Sequence, residues 1–180
     1  MNPRFCAESS LVDFIQAQTP HSLHLLSETT ANQWLRSICE GLIQHQIVSR
    51  LWVKVASTSP FCEPIAVYGQ SGLLQRAYWC GQTEGDVEPV GVNLGSATII
   101  EPILLADNSQ IQEDFLCFLS TDISLLWIVQ RSEKVGMVNV IQSLCPTAIA
   151  AFLAEVKQMV TITDDLPSDF FQPEQLLSLI

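Results

Sequence analysis

The sequence predicts an α+β (or α/β) domain, in which a mixed sheet of about five strands carries a central antiparallel hairpin and is covered by helices. Three observations carry that expectation. The runs FLCFL (115–119) and LLWIV (125–129) are short, bounded by breakers and apolar throughout, as strands covered on both faces are. The link STDIS between them is short enough only for an antiparallel connection. Segments 28–45 and 146–160 carry apolar residues at helical spacing and supply the covering helices.

The elements follow in chain order. A first helix is expected from Leu11 to about Ala17, capped by Ser9 or Ser10. In the second, Ala31, Trp34, Leu35, Ile38 and Leu42 recur at helical spacing. There Thr30 to Gln33 reads as a capping box, and the helix is expected to fade near His45. The period then changes to two. Leu51, Val53 and Val55 alternate with Arg50, Trp52 and Lys54, which predicts a strand with one face buried. STSPFCEP ends it. Residues 61–76 fit a helix or a strand, because PIAVYG satisfies either. AYWCG reads as a strand closing at Gly81, QTEGDVEP as loop and VGVNL as a short strand, whereas EPILLADNSQIQ is ambiguous and loop-rich. Pro146 starts the last helix, whose stripe is Ile149, Phe152, Leu153, Val156 and Val160.

Residues 1–163 are therefore expected to form a single domain. Residues 164–180 are acidic and contain Pro167 and Pro173, the composition of a linker. The helix starting after it is expected to lead toward a further C-terminal module.

The chain has 180 residues and a net charge of −11 from 8 Lys+Arg and 19 Asp+Glu. Such a field repels a phosphate backbone and an anionic membrane surface, so neither nucleic acid nor membrane is an expected partner. The six cysteines form no C-x-x-C pair, and Cys39 and Cys117 sit in apolar patterns. That usage suits a reducing cytoplasm. The N-terminus lacks the apolar run of a signal peptide. A hydrophobic fraction of 48% beside 15% charged residues predicts apolar surface that meets another domain or a second copy.

The candidate chemistry is sparse. Glu113 and Asp114 could form an acid/base pair or a cation site. Adjacent strand residues point to opposite faces, however, which favours a charged strand start. His21 and His24 have the spacing of a helical metal pair, with His45 or a carboxylate as third ligand; Pro20 and Ser22 argue for a helix start or loop with solvated imidazoles. Cys145-Pro146 resembles a heme-thiolate dipeptide, although Pro in a first turn explains it as well. No nucleophile elbow, P-loop or dinucleotide fingerprint is present. The histidines all precede residue 46, and no Ser-His-acid triad can be argued. No catalytic residue, metal or cofactor is therefore expected.

Trp127 is expected in the core. Tyr78 and Trp79 are adjacent, so one of them should leave the core and line a pocket or an interface. On the last helix, Ala148, Ala151 and Ala154, broken by Glu155, leave a second apolar face suited to two-fold pairing.

Several segments together resemble one family. PVGVNL is followed by QEDFLCFLSTDISLLWIVQR, with its acidic pair, two buried strands and closing Arg131. Upstream lie LWVKVAS and PFCEPIAVYGQSGLLQRAYWCG. Over residues 48–131 this outline is similar to the DICT domain, a sensory module of diguanylate cyclases and two-component systems. Phe115 meets the family's aromatic after the acidic pair; Tyr68 and Arg76 are separated, unlike its Tyr-Arg helix pair. The resemblance implies a cytoplasmic, non-catalytic input domain of a bacterial, cyanobacterial-type signalling protein. It would be joined to a histidine kinase or diguanylate cyclase output in the same polypeptide, pair as a homodimer and sense an unidentified small ligand. The competing readings are a docking or dimerisation scaffold and a GAF-like ligand-binding domain. Covalent bilin attachment in the latter wants Cys followed by His, which none of the cysteines offers.

Overall fold

The computed structural model describes residues 10–106 and 111–160. Its elements run α1 (Leu11–Gln18), β1 (His24–Ser27), α2 (Glu28–Gln44), β2 (Ser49–Lys54), α3 (Cys62–Gln70), β3 (Leu74–Gly81), β4 (Ile99–Leu104), β5 (Asp114–Leu119), β6 (Ser124–Arg131), β7 (Met137–Ser143) and α4 (Pro146–Met159). The strands form one mixed sheet in the order β1-β7-β6-β5-β2-β3-β4. β2, β3 and β4 are parallel; the other pairings are antiparallel.

Two apolar clusters, one on each face of the sheet, make three layers. Leu11, Ile15, Phe152 and Val156 from α1 and α4 pack on Trp52, Tyr78, Phe115, Cys117 and Ile128. Leu35, Cys39, Ile65 and Tyr68 from α2 and α3 pack on Val53, Trp79, Leu116, Phe118 and Trp127. This double cover is why β5 and β6 read as unbroken apolar runs. They pair as the expected hairpin, with Phe115 opposite Ile128 and Leu116 opposite Trp127. Ser120 closes the turn. Its Oγ donates to the Ile123 carbonyl (2.7 Å) and accepts from the N–H of Asp122 and Ile123.

Among the described residues the sheet has seven strands rather than about five. The additional ones give weak signals. β1 is four residues long, β7 alternates with polar residues, and β4 contains Pro102. VGVNL forms no strand. Gly91 turns there at φ +77°, and Leu94 packs over α3 at Gly69, where an added Cβ would stand 2.6 Å from the Leu94 carbonyl oxygen. Residues 61–76 resolve into α3 and the start of β3.

Trp52 was expected on an exposed face. It is buried and stacks on Tyr78 at 4.5 Å, because α1 and α4 cover that face too. The α2 cap is Ser27, whose side chain accepts from Thr30 N, so the helix starts a turn earlier than a Thr30 capping box implies. α1 is capped by Ser10 in a reciprocal box with Asp13. Pro146 begins α4 as expected. The linker and helix expected over 164–180 lie outside the described residues.

Candidate functional site

One end of the sheet gathers charge. The end of β2, the start of β5, the end of β6 and the start of β7 lie side by side there, as the pairings Lys54–Phe115, Asp114–Val129 and Arg131–Val138 show. α2 begins at the same end, with Glu28 N donating to Gly136 O at 3.0 Å.

The period of two sends the acidic pair to opposite faces. Glu113 is buried, and its Oε1 accepts from Leu11 N at 3.0 Å, which satisfies a free N–H in the first turn of α1. Its carbonyl accepts from Lys54 Nζ at 3.1 Å. Glu113 therefore clamps α1 and Lys54 to the sheet. Burial pulls the Lys54 ammonium below its ordinary pKa, while Asp114 and Glu113 counter that effect. Asp114 points toward the α2/α3 layer, where burial pushes its carboxyl above the ordinary value. Lys54 and Arg131 oppose that rise, and Glu28 adds to it.

Asp114 lines a cavity of about 180 Å³. The exposed Glu28 and Arg131, the buried Val129 and Val138, Gln112, and residues 58–61 of the loop leading into α3 line it too. Among the described residues, neither the Asp114 carboxylate nor the Arg131 guanidinium makes a side-chain hydrogen bond. The site thus offers unused donors and acceptors of both charge signs beside apolar residues.

The other candidate residues go elsewhere. Tyr78 and Trp79 point to opposite faces, yet both are fully buried. The expectation that one leaves the core fails because both faces are covered. Ala148 and Glu155 are also buried, Ala151 packs against the core, and of these positions only Ala154 is exposed. The alanine face expected for two-fold pairing is therefore largely used inside the domain, where α1 lies on α4.

His24 stands edge-on to Trp34 at 5.4 Å, His45 caps the end of α2, and His21 turns toward β7. The residues from His24 onward form an edge strand, not a helix start. No three His, Cys, Asp or Glu side chains among the described residues are grouped for a metal ion. Cys145 is the residue before α4, where the N–H groups of Ala148 and Thr147 hold its thiol below the ordinary range.

One pairing was missed in the sequence. His21 Nε2 lies 2.6 Å from Ser143 Oγ, and His21 Nδ1 faces the Thr19 carbonyl. That carbonyl can only accept, so a neutral His21 carries its proton on Nδ1 and takes one from Ser143. These are the atoms of an acyl-transfer dyad. Ser143 is only 2% exposed, however, and its oxygen already accepts from Cys145 N at 3.1 Å. Gln16 also grips the His21 backbone at both N–H and C=O. We read the group as a brace joining α1, β7 and α4.

No protein-family model matches the chain, and no curated protein or solved structure does so either.

Proposed function

We propose that this chain is a non-catalytic sensory or regulatory input domain. It binds a small ligand at the Asp114–Arg131 cavity and passes occupancy to a histidine kinase or diguanylate cyclase output in the same polypeptide. The observation that carries the reading is the cavity itself. It joins the start of α2, the loop before α3 and the β5–β6–β7 strand ends, so a bound molecule would bridge the helical layer and the sheet at one point. The DICT-like outline over residues 48–131 supports the same class.

The test is a thermal-shift screen of small metabolites on this chain, followed by output assays of the full-length protein with each hit. A ligand that raises the melting midpoint and changes output at matching concentrations supports the reading. Binding with no change in output, or the lack of any output module, would sink it.

A scaffold that pairs with a second copy of itself is the second reading. Leu23 and Leu25 beside and on β1, and Ile99 and Ile100 on β4, favour it. These are exposed apolar residues at the two ends of the sheet, from 39% to 52% accessible.

A further inference from the structure

We propose that the cavity takes a small zwitterion: one ammonium and one carboxylate group on a compact aliphatic body, as in a neutral α-amino acid. The proposal rests on the ligand-sensing reading above and names the class of ligand.

Size sets the first bound. At about 180 Å³ the cavity exceeds the ~150 Å³ that admits benzene. It falls below the ~300 Å³ at which sites for drug-sized molecules begin. A molecule of about six to nine heavy atoms fits.

Charge sets the second. Asp114, Glu28 and Arg131 line the cavity together, and Asp114 feels the charge of both the others. A simple anion would meet two carboxylates and one guanidinium. A simple cation would meet Arg131. A molecule carrying both charges can place its carboxylate on the fork of Arg131, which suits bidentate pairing, and its ammonium on Asp114. Both side chains have the capacity, since neither makes a side-chain hydrogen bond among the described residues. The partly desolvated Asp114 gains from such a partner, because burial outweighs the help that Lys54 and Arg131 give its charge.

The third bound is the apolar part of the lining. Val129, Val138 and Phe61 belong to it. Phe61 is held edge-on against Trp127 at 5.1 Å. This surface suits an aliphatic side chain, while Gln112, Thr58 and Ser59, which also line the cavity, add uncharged polar groups and no further charge. Lys54 lies toward the α1/α4 face, among residues continuing from Trp52, and leaves Arg131 as the cation of the cavity lining.

The test is isothermal titration of the 180-residue chain with neutral amino acids. L-Valine is compared with its two halves, isobutylamine and isovalerate. At least one amino acid should bind at micromolar to millimolar concentration, with the corresponding amine and acid each at least about tenfold weaker. Arg131→Gln should weaken the amino acid about tenfold or more and leave the amine unchanged. Asp114→Asn should do so while leaving the acid unchanged. The wild-type comparison stands without either variant, and circular dichroism checks that both fold.

Silence from every neutral amino acid up to ~10 mM, well above ordinary ligand affinities, overturns the proposal. So does an amine or an acid that binds as tightly as the amino acid. A different class of molecule found in the same cavity would refute the zwitterion and keep the sensing reading. An amino acid that binds without altering output would do the reverse.

Discussion

Asp114 sits where its charge is least welcome. Its pKa is raised by burial, so the folded chain holds the proton more firmly than the unfolded chain does. Its favourable contribution is complete below the unfolded carboxylate pKa and is lost as pH rises through the folded value. Asp114→Asn should therefore stabilise the fold at pH 7, by a margin that shrinks toward pH 4. Urea melts at the two pH values measure this, and a destabilised variant at pH 7 would reverse the sign. A residue that weakens the fold but lines a cavity behaves as site residues do. Trp127 is the opposite case. Fully buried against Phe61, it should cost about 3–5 kcal/mol on truncation to Ala. Its indole N–H has no hydrogen-bond partner among the described residues, so Trp127→Phe removes an unsatisfied donor and should cost much less. Cysteines divide in the same way. Burial pushes Cys39 and Cys80 up to about 12, Cys62 to about 11, and Cys117 up as well, whereas Cys145 is lowered. On a Cys6→Ser background, a thiol reagent at pH 7 should modify Cys145 first and reach Cys39, Cys80 and Cys117 only on unfolding. Peptide mapping after brief labelling decides it.

At the scale of elements, the hairpin could be read from the sequence because burial on both faces writes itself as unbroken apolarity. FLCFL and LLWIV contain no residue that water would want. The same double cover misleads where polar or aromatic residues alternate, and so a free face is expected for Trp52 and for one of Tyr78 and Trp79, and all three are buried. β1, His24–Ser27, could not be read at all, since a four-residue edge strand needs little apolar content. The site was half legible. Asp114 and Arg131 mark the beginning and end of the two strands that announce themselves. Glu28 and the 58–61 wall come from separate elements, and only the topology brings them to the cavity. α1 packs Leu11, Val12, Phe14 and Ile15 into the core and is fixed at its start by its cap and by Glu113. Glu113→Ala should remove the acceptor for Leu11 N and for the helix dipole, at a cost of about 1–3 kcal/mol. Ser10→Ala should cost about 1 kcal/mol. Hydrogen exchange in residues 11–18 should rise in both variants before that of β5 and β6, and uniform loosening would show that α1 is not a separate unit. Ala151→Glu should destabilise the fold, because its site packs against the core.

At the scale of the whole molecule, the ends of the sheet govern association. Leu105 N donates to Gly81 O at 2.8 Å, so alternate residues back along β4 turn their N–H groups to β3. Pro102 then falls where a missing N–H faces away from β3, and strand-to-strand pairing is blunted there. Self-association, if it uses these ends, must use side chains. Sedimentation velocity should show a dimer at micromolar concentration that Leu25→Lys or Ile100→Lys disperses. A wild-type monomer at ~100 µM, above the affinities of weak specific pairs, would remove the scaffold reading. The pairing of β1 with β7, which sets His24 against Val140 and Ser27 against Met137, has a different consequence. Among the described residues, β1 is made before the other strands yet finds its neighbour near the end of the domain, and β2 must likewise wait for β5. Closing such long loops is slow. A nascent chain ending at residue 106 would hold β2, β3 and β4 with an open flank where β5 belongs, and released fragments of that length should remain unfolded and call on chaperones. Synthesis must run past Ser143 before β1 can dock on β7.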